Sequence, residues 1–306
     1  MFNARSILVD VDSVADAHPA LETALRVAQR CAARLKIVDV VPDVPWIARR
    51  FASGAVEQDL VSHREEHLRA LASSAAARGL QVETAVLRGQ PGLALSREVI
   101  ASKHDLLVRA HGRSGSLEPR QFGAIDMQIL RLCPCPVWLV AAHASPPPLR
   151  VLVAIHSNPE DTIEQDLNVH IMDVTSALVR PDARETTVLQ AWNAFGEQLV
   201  RSRMRPEELA AYVESMRLNA ADALHSLSPQ IGDRLGDVRL ELVKGEPAEV
   251  IAQMAKEQSF DLVVMGTVAR GGIQGLLMGN TAESTLQRLR CSVLAIKPQG
   301  FRSPIQ

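Results

Sequence analysis

Short apolar runs alternate with longer amphipathic stretches from one end of the chain to the other. In the amino-terminal half the apolar runs fall at residues 6–11, 35–41, 80–87, 105–110 and 137–141. They are rich in Val, Leu and Ile and almost unbroken, the pattern of strands in a parallel sheet covered on both faces. Between them, residues 19–34, 57–78, 91–102 and 123–132 read as helices. The same order returns in the carboxy-terminal half, with strands predicted at 151–155, 186–191, 238–243, 262–265 and 293–296. Strands alternating with helices in this way predict a doubly wound sheet, because each parallel crossover needs a helix and is right-handed.

The halves are copies of one unit. Gly89-Gln90-Pro91 returns as Gly245-Glu246-Pro247, Asp105-Leu106-Leu107-Val108 as Asp261-Leu262-Val263-Val264, Gly123 as Gly279, and Cys135 as Cys291, all at an offset of 156 residues. Separate matches at a single offset are the signature of duplication. The predicted fold class is therefore α/β, with two tandem Rossmann-like domains at residues 1–144 and 149–300, each a five-stranded parallel doubly wound sheet. Ser145-Pro146-Pro147-Pro148 cannot continue a helix or a central strand and is the predicted linker.

Composition narrows the function classes. With 47% hydrophobic and 22% charged residues over 306 positions, each half can bury its own core, and a largely disordered chain is excluded. A formal charge of −2 provides no attraction for nucleic acid or an anionic membrane, so neither is an expected partner. No apolar run approaches the roughly 18 residues of a spanning helix, and no export signal is visible. The expected location is the cytoplasm, with Cys31, Cys133, Cys135 and Cys291 as free thiols.

Ligands of open α/β sheets bind beyond the carboxyl ends of the strands, where the strand order reverses. In the second half the loop after the fourth strand reads Gly266-Thr267-Val268-Ala269-Arg270-Gly271-Gly272-Ile273 and closes at Gly279-Asn280-Thr281-Ala282-Glu283 before a helix. Glycines let backbone amides approach phosphate oxygens, and a helix N-terminus adds unpaired donors. Asn280 or Thr281 is the expected cap of that helix, with Glu283 in support. Such a loop can equally exist only to make the turn.

These residues carry a resemblance. From Ile7 to Pro298 the chain resembles the universal stress protein family in its tandem form. The second half is especially similar to the universal stress protein E type, both in the loop just quoted and in Leu289-Arg290-Cys291-Ser292-Val293-Leu294-Ala295-Ile296-Lys297-Pro298. The resemblance implies an adenine nucleotide alpha hydrolase-like version of the fold and a stress-response binding protein without turnover. It also implies two copies packed as a pseudo-dimer within the chain, with a homodimer of chains left open.

ATP-binding members of the family carry a glycine, two residues, a glycine, nine residues, then glycine followed by serine or threonine. Gly266 and Gly279 match the first and third glycines; Ala269 stands at the second, and Asn280 replaces the hydroxyl residue, with Thr281 one place later. Where members commonly have an aspartate ending the first strand, this half has His156. In the first half Asp12 matches that aspartate, and His111-Gly112-Arg113-Ser114-Gly115 resembles the loop. There, however, Arg109 or Ala110 replaces the first glycine, and Asp126 places a negative charge where a phosphate would lie.

The candidate ligand set is thus Gly266, Thr267, Ala269, Arg270, Gly271, Gly279, Asn280, Thr281 and His156, with Asp12 and Gly112 in the first half. The expected partner is a small molecule, nucleotide-like or lipid-like. ATP is a candidate for the second half alone, and a structural role or a different ligand is expected of the first. The alternative is weak ATPase or autokinase activity in the second half. Related adenylating folds are disfavoured, because neither Asp12-Ser13-Val14-Ala15-Asp16 nor His156-Ser157-Asn158-Pro159 holds a glycine-rich phosphate loop.

Other motifs have plainer readings. His63-Arg64-Glu65-Glu66-His67 matches a zinc-peptidase pattern, but Leu60, Leu68, Leu71 and Ala75 mark the buried stripe of that helix and leave both histidines towards solvent. Cys133-Pro134-Cys135-Pro136 has C-x-C spacing and leads into a buried strand, so packed thiols are expected. Asp10 and Asp12 share a strand face, where repulsion would raise one pKa; Asp12 reads as a ligand contact or helix cap. Arg49-Arg50-Phe51 and Arg201-Ser202-Arg203-Met204-Arg205 are basic clusters in matched positions. The apolar residues around them (Trp46, Phe51, Trp192 and Phe195) are expected to cover a cavity or an interface.

Overall fold

The computed structural model describes residues 2–12, 15–42, 54–112, 122–144, 146–158, 161–267 and 278–305. The amino-terminal half runs β1 (Ser6–Asp10), α1 (Pro19–Cys31), β2 (Arg34–Val41), α2 (Gly54–Ala76), β3 (Val82–Arg88), α3 (Pro91–Ser102), β4 (Leu106–His111), α4 (Ala124–Leu132) and β5 (Val137–Ala141). The carboxy-terminal half runs β6 (Arg150–Ile155), α5 (Thr162–Leu178), β7 (Glu185–Trp192), α6 (Glu197–Arg201), α7 (Pro206–Leu235), β8 (Arg239–Lys244), α8 (Pro247–Glu257), β9 (Leu262–Gly266), α9 (Asn280–Arg288) and β10 (Ser292–Ile296).

The strands join one ten-stranded sheet in the order β3-β2-β1-β4-β5-β10-β9-β6-β7-β8. Each half thus contributes a doubly wound parallel sheet whose order reverses beside its first strand. The two are fused by a single antiparallel ladder that pairs Val293 with Leu139 and Leu294 with Trp138. Every residue of β1, β5 and β10 is buried, as the unbroken apolar runs require of strands covered on both faces.

The repeated motifs have local jobs. Asp105 Oδ2 accepts from the Arg5 and Ser6 amides at 2.8 and 3.0 Å, and Asp261 Oδ2 does the same for Leu149 and Arg150, both at 2.9 Å. Each repeated aspartate therefore pins the start of its half's first strand. Gly89 and Gly245 have positive φ values of 114° and 153°, which turn the chain out of β3 and β8. Pro91 and Pro247 then open α3 and α8, where a missing N–H costs no helical bond. The first helix is shorter than its periodicity suggests. Ala32 adopts a left-handed conformation and its N–H bonds to Ala28, so α1 stops at Cys31 and Arg34 already belongs to β2.

Across the junction, Arg131 pairs with Glu283 at 2.9 Å, Arg30 with Asp182 at 2.7 Å, and Ser292 Oγ accepts from the Ala141 amide at 3.0 Å. Among the described residues no helix is long and apolar enough to cross a membrane.

Candidate functional site

Strand register aligns the two halves position by position. Ile7 pairs with Leu106 and Val151 with Leu262, so Asp10 and Asp12 fall where the second half has Ala154 and His156. Leu107 pairs with Val137 and Val263 with Val293, which puts Ala110, not Arg109, at the place of Gly266.

In the first half this switch point is filled by the protein's own charges. Arg109, on β4, pairs with Asp10 at the end of β1 and reaches Asp126 in the first turn of α4, Nε to Oδ1 at 3.2 Å. Asp126 Oδ2 also accepts from the Gly123 amide at 2.8 Å. The carboxylate thereby takes the helix N-terminal position that an external anion would use. Asp10 and Asp126 are both buried. Asp10 and Asp126 share the Arg109 guanidinium. Asp12 is exposed, two residues past β1, and does not cap α1, whose N-cap is His18. Gly112 follows β4 with φ of 77°, a turn conformation.

His111 is buried there, stacked on Phe122 with ring centroids 4.1 Å apart, and neither ring nitrogen has a hydrogen-bond partner. Burial drives its pKa down to about 4, against the opposing influence of the Asp126 charge and the Cys291 backbone.

The second half replaces the whole charged triad. The positions of Asp10, Arg109 and Asp126 hold Ala154, Met265 and Ala282, all buried and packed in one apolar cluster. A cleft of about 330 Å³ opens beside them, between the carboxyl ends of β6 and β7, the flank of α7, the start of α8 and the first turn of α9. His156 and Thr281 line it. So do Trp192, expected to cover a cavity or an interface, and Gln190, Met216 and Glu246, which sequence reasoning did not assign to a site.

Local bonds hold this wall. Asn168 Nδ2 donates to the His156 carbonyl at 2.7 Å, and His156 Nε2 stands 3.6 Å from Glu164 Oε2. Ser157 Oγ donates to the Ala223 carbonyl of α7 at 3.0 Å. Asn193 Nδ2 donates to Glu246 at 3.4 Å, and Lys244 Nζ lies 5.8 Å from the centre of the Trp192 ring.

The sequence-predicted residues divide. His156 and Thr281 come together at the cleft. Gly266, Thr267 and Gly279 meet behind it: the Gly279 amide donates to the Thr267 carbonyl at 3.0 Å, and the Thr267 amide to Ile296 at 3.0 Å. Thr267 is buried, with its hydroxyl 3.4 Å from the same Ile296 carbonyl, so its side chain serves the fold. Gly266 leaves room for Leu167, whose Cδ2 would lie 2.8 Å from an added Cβ.

The capping expectation is overturned. Gly279 is itself the N-cap of α9 and no side chain caps it; Asn280 and Thr281 already lie inside the helix, and Glu283 is drawn away to Arg131. Ala269, Arg270 and Gly271 lie outside the described residues, as do Trp46, Arg49, Arg50 and Phe51.

Trp192 is buried and belongs to the cleft wall, whereas Phe195 is 86% exposed. Arg201 and Arg205 are spent on Glu197 and Glu208 of their own helices. His63 and His67 stand exposed with their rings 4.7 Å apart, while Leu68 and Ala75 face the core; the side chain of Leu60 lies outside the described residues. Among the described residues no group of three His, Cys, Asp or Glu side chains could hold a metal ion.

Signals for the missed wall residues exist. Gln190 is an amide within the apolar run of residues 188–192, and Glu246 lies within the repeated Gly-x-Pro turn.

The model of the Universal stress protein family matches residues 3–141 and again 169–297. Universal stress protein E of Photorhabdus laumondii is 27% identical over 324 aligned positions, covering 100% of this chain and 99% of that protein. Universal stress protein E of Escherichia coli K12 is 28% identical over 309, covering 99% and 96%. A solved structure of a universal stress protein from Archaeoglobus fulgidus superposes with a TM-score of 0.66 at 17% identity, covering 97% of this chain and 99% of that one. A protein of unknown function from Pseudomonas aeruginosa PAO1 does so with a TM-score of 0.70 at 23% identity, covering 97% and 94%.

Proposed function

Because this chain belongs to the universal stress protein family, we propose that it is a stress-response binding and regulatory protein without turnover, whose second half holds a small ligand and whose first half is a structural partner. The observation that carries this reading is the contrast at equivalent positions. Asp126 takes the N-terminal amide of α4 in one half, whereas the equivalent position of α9 holds Ala282, and the neighbouring Glu283 turns to Arg131, beside an open cleft in the other. A helix start whose amide donors meet no side-chain cap favours an anion, and the adjoining cleft is large enough for a ring system. Both features support a nucleotide or another phosphate-bearing molecule, with its ring in the cleft and its phosphate towards Thr281.

Denaturing the purified protein and chromatographing the supernatant tests this directly, together with titration of ATP followed by calorimetry. Saturable binding that is lost on Ala282→Asp, which installs the first half's carboxylate, is the expected result. Binding unchanged by that substitution, or none at all, overturns the nucleotide reading. Sustained phosphate release from ATP that Ala282→Asp abolishes would instead make the protein an enzyme.

The apolar part of the wall, from Trp192, Met216, Ala220 and Ala223, favours a second reading in which the cleft takes a lipid-like ligand.

A further inference from the structure

Cys133 and Cys135 stand with their sulfurs 3.5 Å apart at the turn from α4 into β5. Bonded sulfurs lie about 2.05 Å apart, so closing the pair needs a movement of roughly 1.5 Å. Cys133 is fully buried and Cys135 nearly so. The third member of the cluster comes from the other half. Because β10 runs antiparallel to β5 and pairs Ala295 with Val137, Lys297, the residue that follows β10, arrives beside this turn. Lys297 is 4% exposed and its Nζ donates to the Arg131 carbonyl at 3.0 Å, 3.9 Å from the centre of the Phe301 ring.

A buried ammonium needs an anion beside it, and among the described residues no carboxylate pairs with this one. Burial drives the Lys297 pKa down to about 8, and the groups that favour its charge are the two thiols. Burial also pushes both thiols up. Cys133 nevertheless ends below its ordinary value, because the Cys135 thiol donates to it and Lys297 attracts its charge. Cys135 is raised further by that hydrogen bond and by the Cys133 and Asp105 charges. The pair is thus polarised, one sulfur nucleophilic and the other a proton donor.

The duplication supplies a control. At the offset of 156 residues, Cys133, Cys135 and Lys297 correspond to Leu289, Cys291 and Ala141. Those positions hold one thiol, no second sulfur and no lysine, and burial pushes Cys291 up to about 11. The fold therefore demands neither the second sulfur nor the ammonium.

We propose that Cys133 and Cys135 are a modification site for hydroperoxides, in which Cys133 attacks, Cys135 resolves and Lys297 holds the attacking sulfur as its thiolate. The site lies at the junction of the halves and is independent of the cleft. Burial restricts the oxidant to a small, neutral one admitted by local opening of the turn. The Cys133 sulfur attacks one peroxide oxygen and the O–O bond breaks. The departing hydroxide takes a proton from Lys297 and leaves as water, and Cys133 becomes a sulfenic acid. The Cys135 sulfur then attacks the Cys133 sulfur, the S–O bond breaks, and a second water leaves with the Cys135 proton. The two sulfurs have lost two electrons, which the peroxide has gained.

The test exposes the full, folded chain to hydrogen peroxide, unfolds it in iodoacetamide and weighs the tryptic peptides. Residues 132–150 form one such peptide, whose cysteines are Cys133 and Cys135. It should emerge unalkylated and two hydrogens lighter, dithiothreitol should restore both alkylations, and Cys291 should stay alkylated. In Cys135→Ser the reaction should stop with oxygen on Cys133, trapped by unfolding in dimedone. In Cys133→Ser, Cys135 should stay reduced. Lys297→Met should slow the loss of thiol at neutral pH at least about tenfold, the change in thiolate fraction that one pKa unit makes. It should also move the pH profile of the rate to the alkaline side, and Lys297→Gln provides the same readout if the methionine variant does not fold.

Both cysteines alkylated in the peroxide-treated wild type overturns the site and leaves two packed thiols. Cys291 oxidised as fast as the pair overturns the part played by the second sulfur. Oxygen on Cys135 in the Cys133→Ser variant overturns the choice of attacker. A rate and pH profile unchanged in the folded lysine variants overturns the role of Lys297.

Discussion

Arg109 Nε lies 3.2 Å from Asp126 Oδ1, and the positions equivalent to these two residues in the second half are Met265 and Ala282. With Asp10, which also pairs with Arg109, the exchange is complete: two buried carboxylates bridged by a half-buried arginine on one side, three apolar residues on the other. A change of this kind must be concerted. A single buried charge left without its partner costs several kcal/mol, whereas a matched apolar set can be as stable as the ion pairs it replaces.

Arg109→Met alone should destabilise the protein by about 3–5 kcal/mol, because Asp10 and Asp126 are then left buried and unpaired. The triple variant Asp10→Ala, Arg109→Met, Asp126→Ala copies the second half and should recover most of that loss. Urea unfolding of the two variants measures the difference. A triple variant no more stable than the single one would show that the triad is not interchangeable with the apolar set.

His111 makes stability depend on acid. Its folded pKa is about 4, below the ordinary value of 6.5, so the unfolded chain binds more protons between those two pH values. The stabilising contribution is complete above pH 6.5 and is lost as the pH falls towards 4. For a shift of this size the loss is on the order of 3 kcal/mol. His104 and His170 are shifted the same way by burial, so the effect is read as a difference between proteins. Unfolding free energies of the wild type and His111→Phe, measured from pH 7.5 to 4, should diverge by that amount; parallel curves would refute it.

Asp105 and Asp261 each receive two backbone amides at the start of a first strand. Replacing either by alanine should cost about 1–3 kcal/mol, and the two losses should be similar because the geometry is repeated. Chemical denaturation of the single variants, and of the double variant for additivity, checks this. A large effect at one site and none at the other would mean that the duplicated motif has diverged in role.

The antiparallel ladder of β5 with β10 covers what would otherwise be an open, fully buried-type edge on each half. A fragment spanning residues 149–300, the proposed second domain, should therefore self-associate through β10. Light scattering on the eluting fragment should report a dimer or larger species, and a stable monomer would count against the edge as the driving surface.

The strands, the four crossover helices of each half and the duplication were legible in the sequence, whereas the short α6 was not. Apolar period and turn residues are local properties, and a repeat offset needs no knowledge of contacts. The repeated Asp105/Asp261 and Gly89/Gly245 pairs could be picked out as important, although their roles as strand clamp and turn waited for the hydrogen bonds. The one-residue slip that left Arg109 and Ala110 as alternatives at the place of Gly266 was settled by strand register, which pairs residues about 30 positions apart and cannot be read from spacing alone.

The site depended most on tertiary structure. Asp10, Arg109 and Asp126 come from three separate elements that a parallel sheet brings together only after its crossovers are made. Gln190 reads in sequence as one amide in an apolar run; its burial against α7, with Nε2 on the Ala220 carbonyl, depends on where that helix lays its backbone. The sequence by itself determined that two copies of one α/β unit would form. Packing alone decided that one copy would fill its switch point with its own charges while the other left a cleft, because that outcome depends on which side chains distant strands and helices bring within a few ångströms of one another.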